Sequence, residues 1–182
     1  MTDEESLHAA INEAALLQPY DTSWPAMFVA ERDRLLYLFP NKFLDIQHIG
    51  STAVSCLPAK PIIDILAGVE SMATAESLAQ PLCLSGYTTS AEFNKSLSDR
   101  KWFMRWANGL RTHHLHLVVY GSAIWQERLK FRNALRSSPR VATQYAELKA
   151  RLAEIHSTDR EAYTDAKAEF VRAVVHRSPT SV

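Results

Sequence analysis

Cysteine, net charge and long apolar runs are all scarce in this chain, and each scarcity removes a class of function. The two cysteines, Cys56 and Cys83, are too few for a disulfide framework and stand outside any CxxC or metal-type spacing. They read as free thiols of a reducing compartment. Twenty basic residues balance twenty acidic ones, which argues against a broad electrostatic grip on nucleic acid or an acidic membrane. No run approaches the ~20 apolar residues of a membrane span, and residues 1–17 lack the basic start of a signal peptide. A cytoplasmic protein with no membrane and no nucleic-acid partner is expected. Neither an internal repeat nor a low-complexity segment is present. What remains is 182 residues, 47% hydrophobic and 22% charged, a composition and length that suit one soluble domain with a full core.

The stretch from Ile46 to Val69, IQHIGSTAVSCLPAKPIIDILAGV, carries most of the information. Two apolar runs rich in Ile, Leu and Val, Phe43 to Ile49 and Pro61 to Val69, each predict a strand. Gly50 and Ser51 follow the first directly, and Ser51 is placed to cap a short helical turn through Leu57. Such a turn can gather backbone amides and a hydroxyl around a phosphate. The second strand delivers Asp64 on the face it shares with Ile62 and Leu66. A carboxylate in so apolar a run needs a metal, a partner or a structural hydrogen bond.

Other elements follow from local signals. Thr2 and Glu5 form a capping box that opens a helix to about Leu17, so residues 1–18 read as a helical extension. Residues 19–177 then form the main domain. Ser23 as N-cap and Pro25 in the first turn predict a helix to about Phe39. Ser71 caps a helix over Met72 to Cys83, and Tyr87 to Thr89 reads as a short strand. Ala91 to Asp99 has no period and reads as a loop, a mobile one. Arg100 to Trp106 and Leu110 to Tyr120 form a hairpin about Asn108-Gly109. From about residue 122 the pattern is helical. Ser138-Pro139 divides two helices, and Thr158 with Glu161 starts a third that runs to about His176. The fold class is α/β (α+β): a mixed sheet flanked by helices, with a C-terminal helical segment.

HIGSTAV, followed by KPIIDI, resembles the GrpB family, whose fold is that of the nucleotidyltransferase superfamily. The resemblance extends to PYDTSWPAMFVAERDRL, to THHLHLVVYGS and to LKFRNALRSSPRVATQYAELKARLA, and covers Pro19 to Val174. Two positions depart from the family pattern. The residue before His48 is usually acidic and here is Gln47, and a Pro-Gly after Val54 is replaced by Ser55-Cys56. In the superfamily, the resemblance implies, a glycine-serine turn precedes a strand with two carboxylates, and a later strand adds a third. Magnesium ions on those carboxylates bridge a nucleoside triphosphate. Gly50, Ser51 and Asp64 match that scheme, but Ile62 and Leu66 stand where the second carboxylate belongs. The family also occurs fused to dephospho-coenzyme A kinase, which points to nucleotide-related metabolism.

Histidines can stand in for the missing carboxylate. His114 and His116 share a strand face with Thr112, and a neighbouring Asp64 would complete a set that suits manganese or zinc better than magnesium. His48, just before the turn, is a fourth candidate metal ligand. Alternatively these rings form a hydrogen-bonded cluster that satisfies polar groups under the sheet. His113 points the other way. Lys60 can offset phosphate charge or be a plain solvated lysine. Arg100 and Arg105 lie on opposite faces by strand parity. Among Arg128, Lys130, Arg132 and Arg136, Arg132 belongs to the family motif FRNAL and is expected to face a cleft. The four tryptophans read as core or surface anchors. Gly50, Ser51, Lys60 and Arg132 are therefore the expected nucleotide contacts, and Asp64 the expected catalytic residue. The leading expectation is a nucleotidyltransferase that binds a nucleoside triphosphate and a divalent metal to modify a small acceptor. The alternatives are a catalytically degenerate module for a nucleotide or other phosphorylated ligand, and a metal-dependent hydrolase at the same site.

Overall fold

The structure, a computed structural model, describes residues 17–155 and 160–176 together with Glu5 and His8; for 153–155 and 160–166 only the backbone is described. The expected N-terminal helix and the Thr158 cap fall outside these residues. Helix α1 (Trp24–Leu38) leads into β1 (Asp45–Ile49), a single 3₁₀ turn (Ser51–Ala53) and β2 (Ile63–Val69). Two short helices follow, α2 (Met72–Ser77) and α3 (Ala79–Leu84), then β3 (Tyr87–Thr88) and α4 (Ala91–Ser96). The hairpin β4 (Arg100–Ala107) and β5 (Leu110–Val119) precedes three helices: α5 (Ala123–Ser137), α6 (Pro139–Ile155) and α7 (Arg160–Val175).

The strands form one mixed sheet in the order β1-β2-β5-β4-β3. Only β2 and β5 run parallel, in a register that sets Asp64 beside His114 and Leu66 beside His116. The remaining pairs are antiparallel. Asn108 and Gly109 both have positive φ, 52° and 74°, the conformation a two-residue hairpin with the right twist requires.

Alternation along the strands separates two cores. Ile63, Ile65, Ala67, Leu115, Leu117 and Phe103 face α1, α2 and α3, where Leu35, Ala75, Leu78 and Leu82 are also buried. On the other face Leu66 and Val118 pack with Ile49 under Trp125 of α5. A third cluster joins Val54 and Leu57, just beyond the 3₁₀ turn, to Leu135 of α5, Tyr145 of α6 and Phe170 of α7. Full burial of one such side chain contributes about 1.5–3 kcal/mol, so the C-terminal helices clamp the loop after Gly50 firmly. On the α1 face, buried Glu31 accepts from Tyr87 Oη (2.6 Å), Arg34 (2.8 Å) and Arg105, tying the helix to β3 and β4.

Several expected boundaries change. Ser23 makes no cap; Asp21 Oδ1 instead accepts from the Ser23 amide at 2.7 Å. Ser51 is likewise no N-cap, because the turn it opens is a 3₁₀ turn of three residues preceded by Gly50. Ser71 does cap, accepting from Thr74 N at 3.2 Å, but the helix divides at Leu78 into α2 and α3. Residues 91–99 are not a loop throughout. Ser90 accepts from Phe93 N and starts α4, whose six residues are too few to show a helical period in sequence. The Ser138-Pro139 break stands as expected.

Candidate functional site

The junction of β2, β5 and the 3₁₀ turn places one carboxylate against two chain segments. Asp64 Oδ1 accepts from His114 Nδ1 at 3.0 Å. Its other oxygen, Oδ2, lies where Gly50 leaves room: a Cβ on Gly50 would fall 2.2 Å from it. Gly50 also has φ +73°, a backbone state that favours glycine. Glycine is therefore required twice over at the position the motif predicts. Burial works to raise the pKa of Asp64, but the His114 hydrogen bond, aided by the basic groups of His114, His116 and Lys167 around it, prevails and holds it below the usual value. With an ionised Asp64 as acceptor, the neutral form of His114 carries its proton on Nδ1. In that tautomer Nε2 is the proton acceptor, and it is buried without a hydrogen-bond partner. An imidazole fixed in this way can accept a proton from a hydroxyl brought beside it.

His116 lies one step further along the same face, with its ring 6.5 Å from that of His114 and nearly perpendicular to it. Burial, then Arg128 close by, depress its pKa well below the ordinary histidine value, so it is neutral at pH 7. His116 Nδ1 and Arg128 Nε are also buried without partners. Arg128 reaches the face from α5, where burial and the nearby Arg100 both work against its charge.

A second cation approaches from the C-terminal helices. Lys149 of α6, only 4% exposed, donates from Nζ to Ser51 Oγ and to the Pro58 carbonyl, both at 2.8 Å. Both acceptors are neutral. Burial, with Lys167 of α7 adding to it, lowers the pKa of Lys149 to about 8, against the pull of Asp64. Arg128, Lys149 and Lys167 thus gather around a carboxylate that all three sense or are sensed by.

Not every expected residue joins them. His48 pairs with Ile65 across β1 and β2 and so faces the opposite side of the sheet. There it bonds Thr52 Oγ1 at 3.0 Å and stacks on Phe28 at 4.8 Å, a buried neutral ring whose pKa is pushed down to about 4, by burial first. Strand parity excludes it from a ligand set with Asp64. Arg132 is buried but directs its guanidinium to protein acceptors: Gln47 Oε1 at 2.7 Å, the His48 carbonyl at 3.0 Å and Asn133 Oδ1 at 2.9 and 3.0 Å. It pins β1, and with it the approach to Gly50, rather than offering its donors to a phosphate. The Gln47 that replaces the acidic residue of the family pattern is its partner. Ser51 Oγ accepts from Lys149 Nζ instead of capping a helix. Lys60 is half-buried ahead of β2, with its carbonyl accepting from Ile62 N at 2.8 Å.

A resident metal on Asp64, His114 and His116 does not fit this arrangement. Asp64 Oδ1 is engaged by His114, and Arg128 and Lys167 already supply positive charge. Among the described residues, no group of three His, Cys, Asp or Glu side chains is placed to hold a metal ion. Sequence reasoning preferred Arg132 to Arg128 and did not single out Lys149, although signals existed for both. Arg128 follows Trp125 and precedes Arg132 at spacings of three and four, the sheet-facing stripe of α5. Tyr145, Lys149 and Leu152 are successive buried positions of α6, so the lysine interrupts an apolar stripe.

The chain matches known relatives over most of its length. The family model described as GrpB protein matches residues 15–177. The chain is 33% identical over 165 residues to the glutamate-rich protein GrpB of Alkalihalophilus pseudofirmus, covering 88% of this chain and 94% of that one. It is 34% identical over 153 residues to the UPF0157 protein YqkA of Bacillus subtilis, with 84% of this chain matched. It spans only 44% of the length of YqkA. A crystal structure of the conserved protein GrpB from Enterococcus faecalis superposes with a TM-score of 0.76 at 32% identity, covering 88% of this chain and 97% of that one. On sequence and fold together, the chain belongs to the GrpB family.

Proposed function

We propose that the protein binds the phosphate chain of a nucleoside triphosphate between Gly50-Ser51, Arg128 and Lys149, and that it transfers the nucleotidyl group to a small acceptor. One observation carries this reading. Lys149 is buried with only neutral hydrogen-bond acceptors, and Arg128 has a buried donor without one. Buried positive charge without a bonded counter-ion is costly, and a polyphosphate supplies what both groups lack. In the reaction, the acceptor hydroxyl attacks the α-phosphorus and its proton passes to His114 Nε2. The bond from the α-phosphorus to the bridging oxygen breaks, and pyrophosphate leaves into the field of Arg128 and Lys149. Asp64 orients His114, and it is the strand carboxylate that would meet a divalent cation carried in on the triphosphate.

A second reading, a module that binds a phosphorylated ligand without transfer, is favoured by Ile62 and Leu66 where the second carboxylate belongs. Asp64→Asn separates the two. For the enzyme, pyrophosphate release should fall at least a hundredfold, about 2.7 kcal/mol of transition-state stabilisation, with an unchanged circular-dichroism spectrum. Wild-type protein that binds triphosphates but releases no pyrophosphate across a broad panel of hydroxyl and amine acceptors would leave the binding module.

A further inference from the structure

Beyond His114 the same sheet face continues to β4, where the residue across from His116 is Trp102. The Trp102 ring lies 5.4 Å from His114, and Phe93 of α4 meets it edge-on at 5.6 Å. Phe93 is 44% exposed, although a phenylalanine gains most when fully covered. Its mount is rigid. The buried Asn94 side chain accepts from Trp102 N at 2.8 Å and donates to the Trp102 carbonyl at 3.1 Å and to Thr89 Oγ1 at 2.7 Å. The exposed aromatic corner is thus fixed to the β4 edge rather than left on a loose segment. From β2, which carries Asp64, to β4 is two strand spacings, about 10 Å. That is of the order of the reach from the phosphates of a nucleotide to its base.

We infer that Trp102 and Phe93 seat the planar ring of the ligand, a nucleobase, while its phosphates lie at Gly50 and Lys149. The inference rests on the phosphate site proposed above and extends it to the other end of the ligand. Stacking on an aromatic side chain tolerates any base, because every base has a π-face. His116 Nδ1, buried, unpartnered and on the residue paired with Trp102, is the polar atom a base edge can satisfy.

The test compares a ligand that has a base with one that lacks it. Nucleoside triphosphates and inorganic tripolyphosphate are titrated into the full chain, with intrinsic tryptophan fluorescence and calorimetry as parallel readouts. Both should bind, but only the nucleotides should quench fluorescence, and Trp102→Phe should abolish the quench. Phe93→Ala, with a thermal melt to check that the variant is folded, should weaken nucleotide binding by about tenfold and leave tripolyphosphate unchanged. Equal affinity for both ligands, insensitive to either substitution, would overturn the ring site while leaving the phosphate site intact. Binding of neither would overturn both.

Discussion

Gly50 is the residue on which the site's geometry turns, because it has no side chain where Asp64 needs space. Gly50→Ala places a methyl group 2.2 Å from Asp64 Oδ2 and forces a non-glycine residue into positive φ, at about 1–2 kcal/mol. Asp64 must swing away, and with it the hydrogen bond that orients His114. The variant should fold with a Tm lower by about 2–8 °C and lose at least tenfold in triphosphate affinity, about 1.4 kcal/mol. A calorimetric titration and a thermal melt check both, and wild-type affinity in the variant would remove the turn from the site. A related strain is native. Cys56, where the family pattern has glycine, has φ +64°. The role of Gly50 and Asp64 was legible in sequence because both belong to one short motif. That Oδ2 abuts Gly50 was not, since it depends on the register of β1 against β2.

At the scale of elements, the turn between β1 and β2 is completed by helices far away in sequence. Lys149 of α6 bonds Ser51 and Pro58, while Val54 and Leu57 pack against Leu135, Tyr145 and Phe170. Strand alternation predicted that His114, His116 and Asp64 share a face, and it also predicted the opposed faces of Arg100 and Arg105. The same parity rule, once β1 was known to pair antiparallel with β2, took His48 out of the set. Periodicity is a property within an element, so it could not say which helix face meets which loop, and Lys149 was missed for that reason. The pKa of Lys149 near 8 gives a pH test. Its folded value lies below its unfolded one of about 10.4, so between the two the unfolded chain binds more protons and this group's contribution to stability rises with pH. Ligand binding has the opposite sign, because phosphate needs the ammonium form. Triphosphate affinity should therefore fall as pH passes 8, while Lys149→Arg, charged throughout, should hold its affinity to pH 9. A wild-type affinity that is flat from pH 7 to 9 would exclude Lys149 as a phosphate contact.

For the whole molecule, the sheet divides the work between its faces. The α1 side carries the larger apolar core and the Glu31 ion cluster, and the α5 side carries the site. An overall charge of zero conceals this asymmetry: the balance of twenty against twenty says nothing about three cations converging on one carboxylate. Composition argued against a broad electrostatic grip on nucleic acid but could not reveal a local anion site. Among the described residues, no helix is long and apolar enough to cross a membrane. The most direct measurement of the proposed site is calorimetric titration of inorganic tripolyphosphate into the wild type, Arg128→Met, Lys149→Met and the double variant, with thermal melts of each. Lys149 interrupts an apolar stripe and is buried without a bonded counter-ion, so Lys149→Met should raise Tm while weakening tripolyphosphate binding at least tenfold. Arg128→Met should weaken binding by a similar factor, and the double variant should bind no more than marginally. Equal tripolyphosphate affinity in the wild type and the folded double variant would contradict an anion site at this junction.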